Sequence, residues 1–448
     1  MKKLRFISFI LVCCFLIVGM CSCKGDGEIA DSIPSDTLQS DNETEDTSSD
    51  DRSENTEQDN SQNVEGFDDM LEKVDRVSVD KLKLSDSYTI AIGEELRSYY
   101  EQTLDVFFGV CKQHRDDGYE LYNYHVMNGN HFATYYKGTR LRHIYWIEGE
   151  RELNVVYSTT GGSSLPSKNS MASDSRSEKL SVTQLQSTRI NGMGYVVQLS
   201  DGSFIIYDGG YAELSTELWN TLVELNGSEE NINIRAWLMT HAHNDHYPCF
   251  TSFANSYSSK VTLETLMISP INSADAYDNY LNSGVHVDLQ KFSGAKLLYV
   301  HTGMLFEFGN AKMEILFTPD ELYIADAYGL DGKTLIDFNN TSIVSRIYTD
   351  NSSCIFLGDA GDFVAYRLIA YYGKYLKSDM CQIAHHGVEN FPLIGYRYID
   401  ASILWYPCSA SLYNRTDRDA DVRQALKESA STKEIILHDS ARVTRYFE

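Results

Sequence analysis

The chain has little that would let it depend on disulfides, membrane insertion or attraction to polyanions. Nine cysteines occur in 448 residues, but Cys13, Cys14, Cys21 and Cys23 crowd the N-terminus. The other five, Cys111, Cys249, Cys354, Cys381 and Cys408, are scattered without C-x-x-C spacing. An odd number at irregular intervals is no disulfide framework, so these five are expected as buried thiols. Cys249, three residues after a histidine, reads as a small apolar residue on a helix. The apolar run at residues 6–20 is too short for a comfortable membrane span. Basic residues are outnumbered, 38 against 64 acidic, for a net charge of −26. No repeat of fixed period is visible.

What is present at the N-terminus has the order of an export signal: Lys2, Lys3 and Arg5, then the apolar run. The run ends in Met-Cys-Ser-Cys-Lys, with small Ser22 before Cys23, which resembles a bacterial lipoprotein cleavage box. Residues 1–23 are therefore expected as a lipoprotein signal peptide and Cys23 as the lipidated residue. Cys21 competes, but Met20 is a poor small-residue stand-in, and an uncleaved anchor would give much the same address. The expected location is outside the cytoplasm, held to the bacterial cell membrane by lipid alone. Residues 24–66 hold fourteen acidic and two basic residues and almost nothing to bury. They cannot offset their ordering entropy and read as a disordered acidic tether. The tether takes −12 of the charge and Lys2, Lys3 and Arg5 carry +3, which leaves about −17 on the remainder. Such a surface repels polyanions, so nucleic acid is not an expected partner.

Residues 67–160 read as a small α+β module. A helix is expected at 96–111, with Leu104, Phe107, Phe108 and Cys111 as its apolar stripe. Strands follow at 119–127, 131–137, 141–148 and 153–158. Their aromatics (Tyr119, Tyr122, Tyr124, Phe132, Tyr135, Tyr136, Tyr145, Trp146) offer a ligand platform or, more commonly, the packed face of a sheet. Residues 161–179 form a linker. From 180 to 448 strands alternate with helices, an α/β pattern. Strands are expected at 180–186, 195–199, 204–207, 234–239, 261–268, 297–300, 313–317, 343–348 and 355–357, and helices at 213–225, 274–281 and 363–375. Two β-sheets faced by helices satisfy these periodicities, with ligands gathered at strand ends on one edge.

The chemistry is concentrated in Ala-Trp-Leu-Met-Thr-His-Ala-His-Asn-Asp-His, residues 236–246. An apolar strand ends at Thr240 and presents His241, His243, Asp245 and His246 within six residues. Imidazole and carboxylate together suit Zn²⁺ and its borderline neighbours. A chance histidine-rich loop would explain a lone H-x-H but not four ligand-type residues behind a strand. Two further apolar strands end in the same way, one in Gly358-Asp359 and one in His385-His386-Gly387.

With Gly194-Tyr195-Val196-Val197, Asp208-Gly209-Gly210 and Asn340-Thr-Ser342-Ile343-Val344, these motifs resemble the metallo-β-lactamase superfamily over about residues 180–440. Within it they resemble the branch of the ComEC-type DNA-uptake hydrolase domain and phosphorylcholine esterases. The resemblance implies an αββα sandwich and two divalent metal ions, Zn with Mn or Fe as alternatives. It assigns His241 and His243 to the first ion, Asp245 and His246 to the second, Asp359 to both, and one histidine of the HHG pair to the second. His385 is favoured as that ligand because it directly follows the strand. His386 is then left to hydrogen-bond an oxyanion or give a proton to the leaving group, and Asp245 to orient the nucleophile. Asp208 is expected to hold a ligand imidazole, or else to be a turn residue. Many members supply one more histidine to the first ion; here only His286 and His301 lie in the interval, and both read as surface residues.

Two such cations lower the pKa of a shared water toward 7 and clamp the attacked group. The expected function is therefore a metal-dependent hydrolase, a phosphodiesterase acting on a small-molecule or cell-wall-linked ester. A lactonase or β-lactamase-type activity is the second reading, since the same attack works on a carbonyl. A non-catalytic surface-binding lipoprotein is the third, and six convergent ligands weigh against it.

Overall fold

The computed structural model describes residues 62–168, 180–271, 280–325, 338–389 and 391–447. The expected signal peptide with Cys23, nearly all of the tether, residues 169–179 of the linker and most of the helix expected at 274–281 lie outside the described residues. Asn60–Glu448 form one compact unit.

Two seven-stranded sheets carry the part expected to bind metal. The first runs, in spatial order, Lys296–Tyr299, Val261–Ile268, Ile232–Leu238, Phe204–Asp208, Gly194–Gln198, Ser181–Gln184, Val443–Tyr446. The second runs Leu305–Phe308, Ala311–Phe317, Val344–Tyr348, Ser353–Phe356, Met380–Gln382, Ile403–Tyr406, Glu434–Leu437. Ile232–Leu238 is parallel to both neighbours, and Ser353–Phe356 is parallel to Met380–Gln382. Parallel strands covered on both faces read as continuous apolar runs, which is why these were the most legible.

The sheets face each other through one buried cluster. Tyr195, Val197, Tyr207, Ala236 and Leu238 of the first pack with Met313, Ile347, Phe356 and Trp405 of the second. The Tyr207 and Phe356 rings stack at 3.8 Å. The outer faces are covered by helices. Ser215–Asn226 and Pro248–Tyr257 bring Leu218, Leu222, Phe250 and Phe253 against Ile206 and Trp237; Asp362–Tyr372, Leu393–Ile399 and Ala420–Lys427 bring Val364, Leu368, Tyr396 and Leu426 against Ile355, Cys381 and Leu404. The result is an αββα sandwich.

The N-terminal part is a six-stranded antiparallel sheet, two strands larger than expected, in the order Asp86–Ala91, Glu94–Tyr99, Glu152–Ser158, Arg140–Ile147, Asn130–Lys137, Glu120–Met127. Its aromatics are packed on both faces. Phe67, Phe107, Phe108 and Cys111 from two helices cover Tyr124, Tyr135, Trp146 and Val155. On the other face Leu96, Phe132, Tyr145 and Val156 pack with Leu316, Phe317, Tyr371 and Tyr372 of the sandwich. The approach is close: a Cβ built on Gly303, whose φ is +88°, would lie 1.8 Å from the Phe132 ring.

Two expectations here are corrected. The helix expected at 96–111 is Leu104–Asp116. Residues before it form the strand Glu94–Tyr99, whose alternation buries Leu96 and leaves Arg97 paired with Glu95 at 2.9 Å. A helix over Gln62–Lys73 crosses the boundary placed at residue 66. The five cysteines are free and buried, Cys249 on the helix Pro248–Tyr257.

His301 is also corrected. It is 2% exposed, with Nδ1 2.9 Å from Asp320 Oδ2 and Nε2 3.0 Å from Glu94 Oε2. The neighbouring His143 ring, 6.3 Å away, is held neutral by burial. Only an imidazolium carries hydrogens on both nitrogens. Burial opposes that charge, but the Asp320 and Glu94 carboxylates outweigh it and His301 is pushed up to about 10. The raised folded-state pKa means stabilisation present in full below the ordinary histidine value and lost as pH rises through about 10. The expected outcome is that the melting temperature of the parent exceeds that of His301→Gln by a margin shrinking between pH 7 and 10. A margin constant over that window would show that His301 does not titrate there. His286, half-buried on Val285–Leu289, stands apart from the metal-ligand groups below.

Candidate metal centre

Each half of the site is a strand end bent by a left-handed residue. Asp208 closes its strand with φ 53°, and Gly209 and Gly210 follow at 148° and 80°. A Cβ on Gly209 would sit 2.9 Å from Cys249 Cβ, so only glycine lets the helix Pro248–Tyr257 close in. Gly210 N donates to His246 O at 3.0 Å and Cys249 N to Gly210 O at 2.9 Å, which ties this turn to the histidine loop.

Asp208 accepts from Thr240 N and Thr240 Oγ1, both at 2.7 Å, and its Oδ2 is 2.8 Å from His246 Nδ1. That contact fixes the His246 ring and turns Nε2 toward the centre. His241 Nδ1 lies 3.1 Å from Thr240 Oγ1 and 3.3 Å from Ser342 Oγ. His386 Nδ1 lies 2.9 Å from Pro407 O. All three rings thus have the nitrogen away from the centre engaged.

On the second sheet, Gln382 Oε1 accepts from Leu357 N and Gly358 N at 2.7 and 2.8 Å, and its Nε2 donates to Gly358 O at 3.0 Å. Asp359 N donates to Ser342 Oγ at 3.0 Å. Gly358 has φ +58°, and a Cβ there would meet Ser342 Cβ at 2.9 Å. The polar Gln382 inside Met-Cys-Gln-Ile-Ala was a visible signal; its role in pinning the Gly358-Asp359 turn was not.

The structure brings the side chains into two groups. Asp245, His246, Asp359 and His386 form one, and His241, His243 and Asp359 the other; within each, one ligand atom per residue lies within 4.8 Å of the others. Asp359 Oδ2 is 3.2 Å from His246 Nε2, 3.5 Å from His386 Nε2 and 3.8 Å from His241 Nε2. Asp245 Oδ2 is 2.9 Å from His386 Nε2 and also accepts from Asn191 Nδ2, whose Oδ1 accepts from Tyr211. Asn191 and Tyr211 carried no motif. Phe338 lies with its ring 5.2 Å from that of His243.

The HHG pair is placed the opposite way from expectation. His386 belongs to the four-residue group, while His385 stays outside both, its Nε2 3.9 Å from Asp359 Oδ2. Both residues are left-handed, φ 46° and 57°. The chain therefore reverses at His385 and carries the second imidazole inward, which the strand pattern alone does not specify. Each left-handed non-glycine residue costs about 1–3 kcal/mol and persists only where its surroundings impose it.

The electrostatics are those of a compact charge cluster. Burial raises Asp359, but His246 and His386 outweigh it and hold the carboxyl well below its usual range. Asp245 is held below its usual range in the same way. Burial lowers His386, yet Asp359 and Asp245 push it up to about 9. His246 is raised well above its ordinary value against burial by Asp359, Asp245 and Asp208. His241 and His243 are lowered, by burial first and then by His246.

The donor set fits a cation. The Nε2 atoms of His241, His246 and His386 and Oδ1 of Asp359 are buried without a hydrogen-bond partner. Leaving a buried polar atom unpaired costs about 1–3 kcal/mol, so four aimed at one place call for a ligand.

No protein-family model matches the chain, and no curated protein matches it. Solved structures with some likeness include the metallo-beta-lactamase fold protein YhfI from Bacillus subtilis, at 12% identity over 60% of this chain and 100% of that chain, TM-score 0.37. CmlA, a diiron beta-hydroxylase from Streptomyces venezuelae, is 12% identical over 60% of this chain and 54% of that chain, TM-score 0.39. Zn²⁺-bound PqqB from Methylobacterium extorquens is 12% identical over 59% of this chain and 99% of that chain, TM-score 0.33. Likenesses of this size assign no activity here; that rests on the side chains.

Proposed function

We propose that the chain is a metal-dependent hydrolase of the metallo-β-lactamase type, holding two divalent ions and acting on phosphodiesters. The observation that carries this is the set of four buried ligand atoms without a hydrogen-bond partner on three strand-end loops. His241, His243 and Asp359 would hold the first ion, and Asp245, His246, His386 and Asp359 the second. Zn²⁺, Mn²⁺ or Fe suits these imidazole and carboxylate donors. Two such ions supply an acidified water and take up charge on the attacked group.

The chain's own residues do the rest. Asp208, Thr240, Ser342 and Pro407 O fix the ring orientations, so the donors need no rearrangement when a substrate arrives. Asp245, beside His386 and Asn191, is placed to orient the attacking water. His385 is 16% exposed beside the cluster and takes the role expected of His386, giving a proton to the leaving group. A small or wall-linked anionic diester agrees with this reading better than a nucleic acid, which the remaining charge of about −17 would repel. Export and lipid anchoring through Cys23 complete the proposal on the sequence signal alone.

The purified protein with Zn²⁺ or Mn²⁺ should hydrolyse nitrophenyl phosphorylcholine faster than nitrocefin or a homoserine lactone, and chelation should abolish the activity. Lactone turnover with a silent diester would replace the phosphodiesterase reading. Turnover of neither, with metal bound, would favour a binding protein.

A further inference from the structure

We infer that Arg423 is a positioning residue that holds the His385-His386-Gly387 turn, and through it His386, in register with Asp245, His246 and Asp359. The inference rests on the metal reading above.

The turn has three successive left-handed residues, with φ of 46°, 57° and 75°. Gly387 has no room for a side chain, since a Cβ would lie 2.5 Å from the Tyr406 ring. Locally this conformation gains one backbone hydrogen bond, Val388 N to His385 O at 3.1 Å, so most of its support comes from outside. On the way in, Ala384 N donates to Tyr396 Oη at 3.1 Å and His385 N to Gly358 O at 3.1 Å. On the way out, Gly387 O accepts from Arg423 Nη1 at 2.6 Å.

Arg423 is 4% exposed on the helix Ala420–Lys427. The rest of its guanidinium is spent on a second bent segment, donating to Arg418 O at 2.5 Å, Arg415 O at 2.6 Å and Asp417 O at 3.1 Å. That segment is left-handed at Arg418 and Asp419, φ 47° and 55°. Arg418 Nη1 is 3.5 Å from Glu389 Oε1, and Glu389 Oε2 is 3.9 Å from His385 Nδ1. One planar fork therefore clamps two turns against each other, one bearing the histidines and the other the charged rim beside them. A lysine ammonium has the charge but not the fork, and cannot span the same four carbonyls.

The test uses the full chain as Arg423→Met and Arg423→Lys, with chelator-buffered Zn²⁺ titration to resolve the two affinities and amide hydrogen exchange of residues 383–389. The first affinity should stay parental and the second should weaken about 10–100-fold, the usual effect of losing support behind a ligand. Exchange at Gly387 and Val388 should quicken in Arg423→Met, with Arg423→Lys between it and the parent. A folded Arg423→Met with both affinities and the exchange unchanged overturns the inference. So does an equal loss at both sites with faster exchange throughout, which is global destabilisation. If Arg423→Met fails to fold, Arg423→Lys decides by the same criteria. A parent that takes up no metal sinks the hydrolase reading instead, and local exchange at the turn alone then decides for or against Arg423.

Discussion

Asp359→Ala should leave the purified protein almost free of metal while each single histidine variant keeps part of its complement. Asp359 is the one residue common to both groups, with Oδ2 3.2 Å from His246 Nε2 and 3.8 Å from His241 Nε2. Its carboxyl is held ionised by His246 and His386, so its removal also withdraws the negative charge that two cations require. Hydrolytic activity should fall by about 10³-fold or more, the scale of what a metal-activated nucleophile contributes. Asp359→Asn keeps the shape, and the hydrogen bond from its backbone to Ser342 Oγ, without the charge. It should lose metal nearly as completely, which separates charge from packing. Parental metal content in Asp359→Ala, measured by elemental analysis of folded protein, would refute the shared-ligand assignment.

The second large effect distinguishes two adjacent histidines. His386→Ala should be poor in the second ion, because His386 Nε2 is buried 2.9 Å from Asp245 Oδ2 and 3.5 Å from Asp359 Oδ2. His385→Ala should keep both ions and turn over slowly, by about 10²–10⁴-fold, as loss of a proton donor does. The defect should be largest for alkyl leaving groups, which need a proton, and small for nitrophenolate, which does not. Elemental analysis with a series of leaving groups reads both halves. Metal loss in His385→Ala together with full metal in His386→Ala would restore the order expected from the strand pattern.

Where the sequence was legible, one element dominated its own surroundings. The strands Phe204–Asp208, Ile232–Leu238 and Val261–Ile268 are central and parallel, so their apolar runs stand out in any window. Ile403–Tyr406, Glu434–Leu437 and Val443–Tyr446 have no counterpart among the expected strands. Residues 96–99 of the strand Glu94–Tyr99 fall within the helix expected at 96–111 from the stripe Leu104, Phe107, Phe108 and Cys111. Pairing with Glu152–Ser158, more than fifty residues away, decided it as a strand. Separation in sequence also hid the burial of His301, whose partners Glu94 and Asp320 sit on other elements.

The sequence by itself determined which residues could bind metal and that they stand at strand ends. His241, His243, Asp245, His246 and Asp359 each follow a short apolar run bounded by turn residues, which reads as a buried strand, and imidazole and carboxylate at such places carry their chemistry with them. Only the tertiary structure decided which of His385 and His386 faces the centre and what fixes each ring. A strand's two-residue alternation predicts side-chain direction only while φ and ψ stay extended, and here the strand ends in left-handed residues. That turn is hydrogen-bonded to Gly358 O, Tyr396 Oη and Pro407 O and accepts from Arg423 Nη1, partners that no local pattern connects.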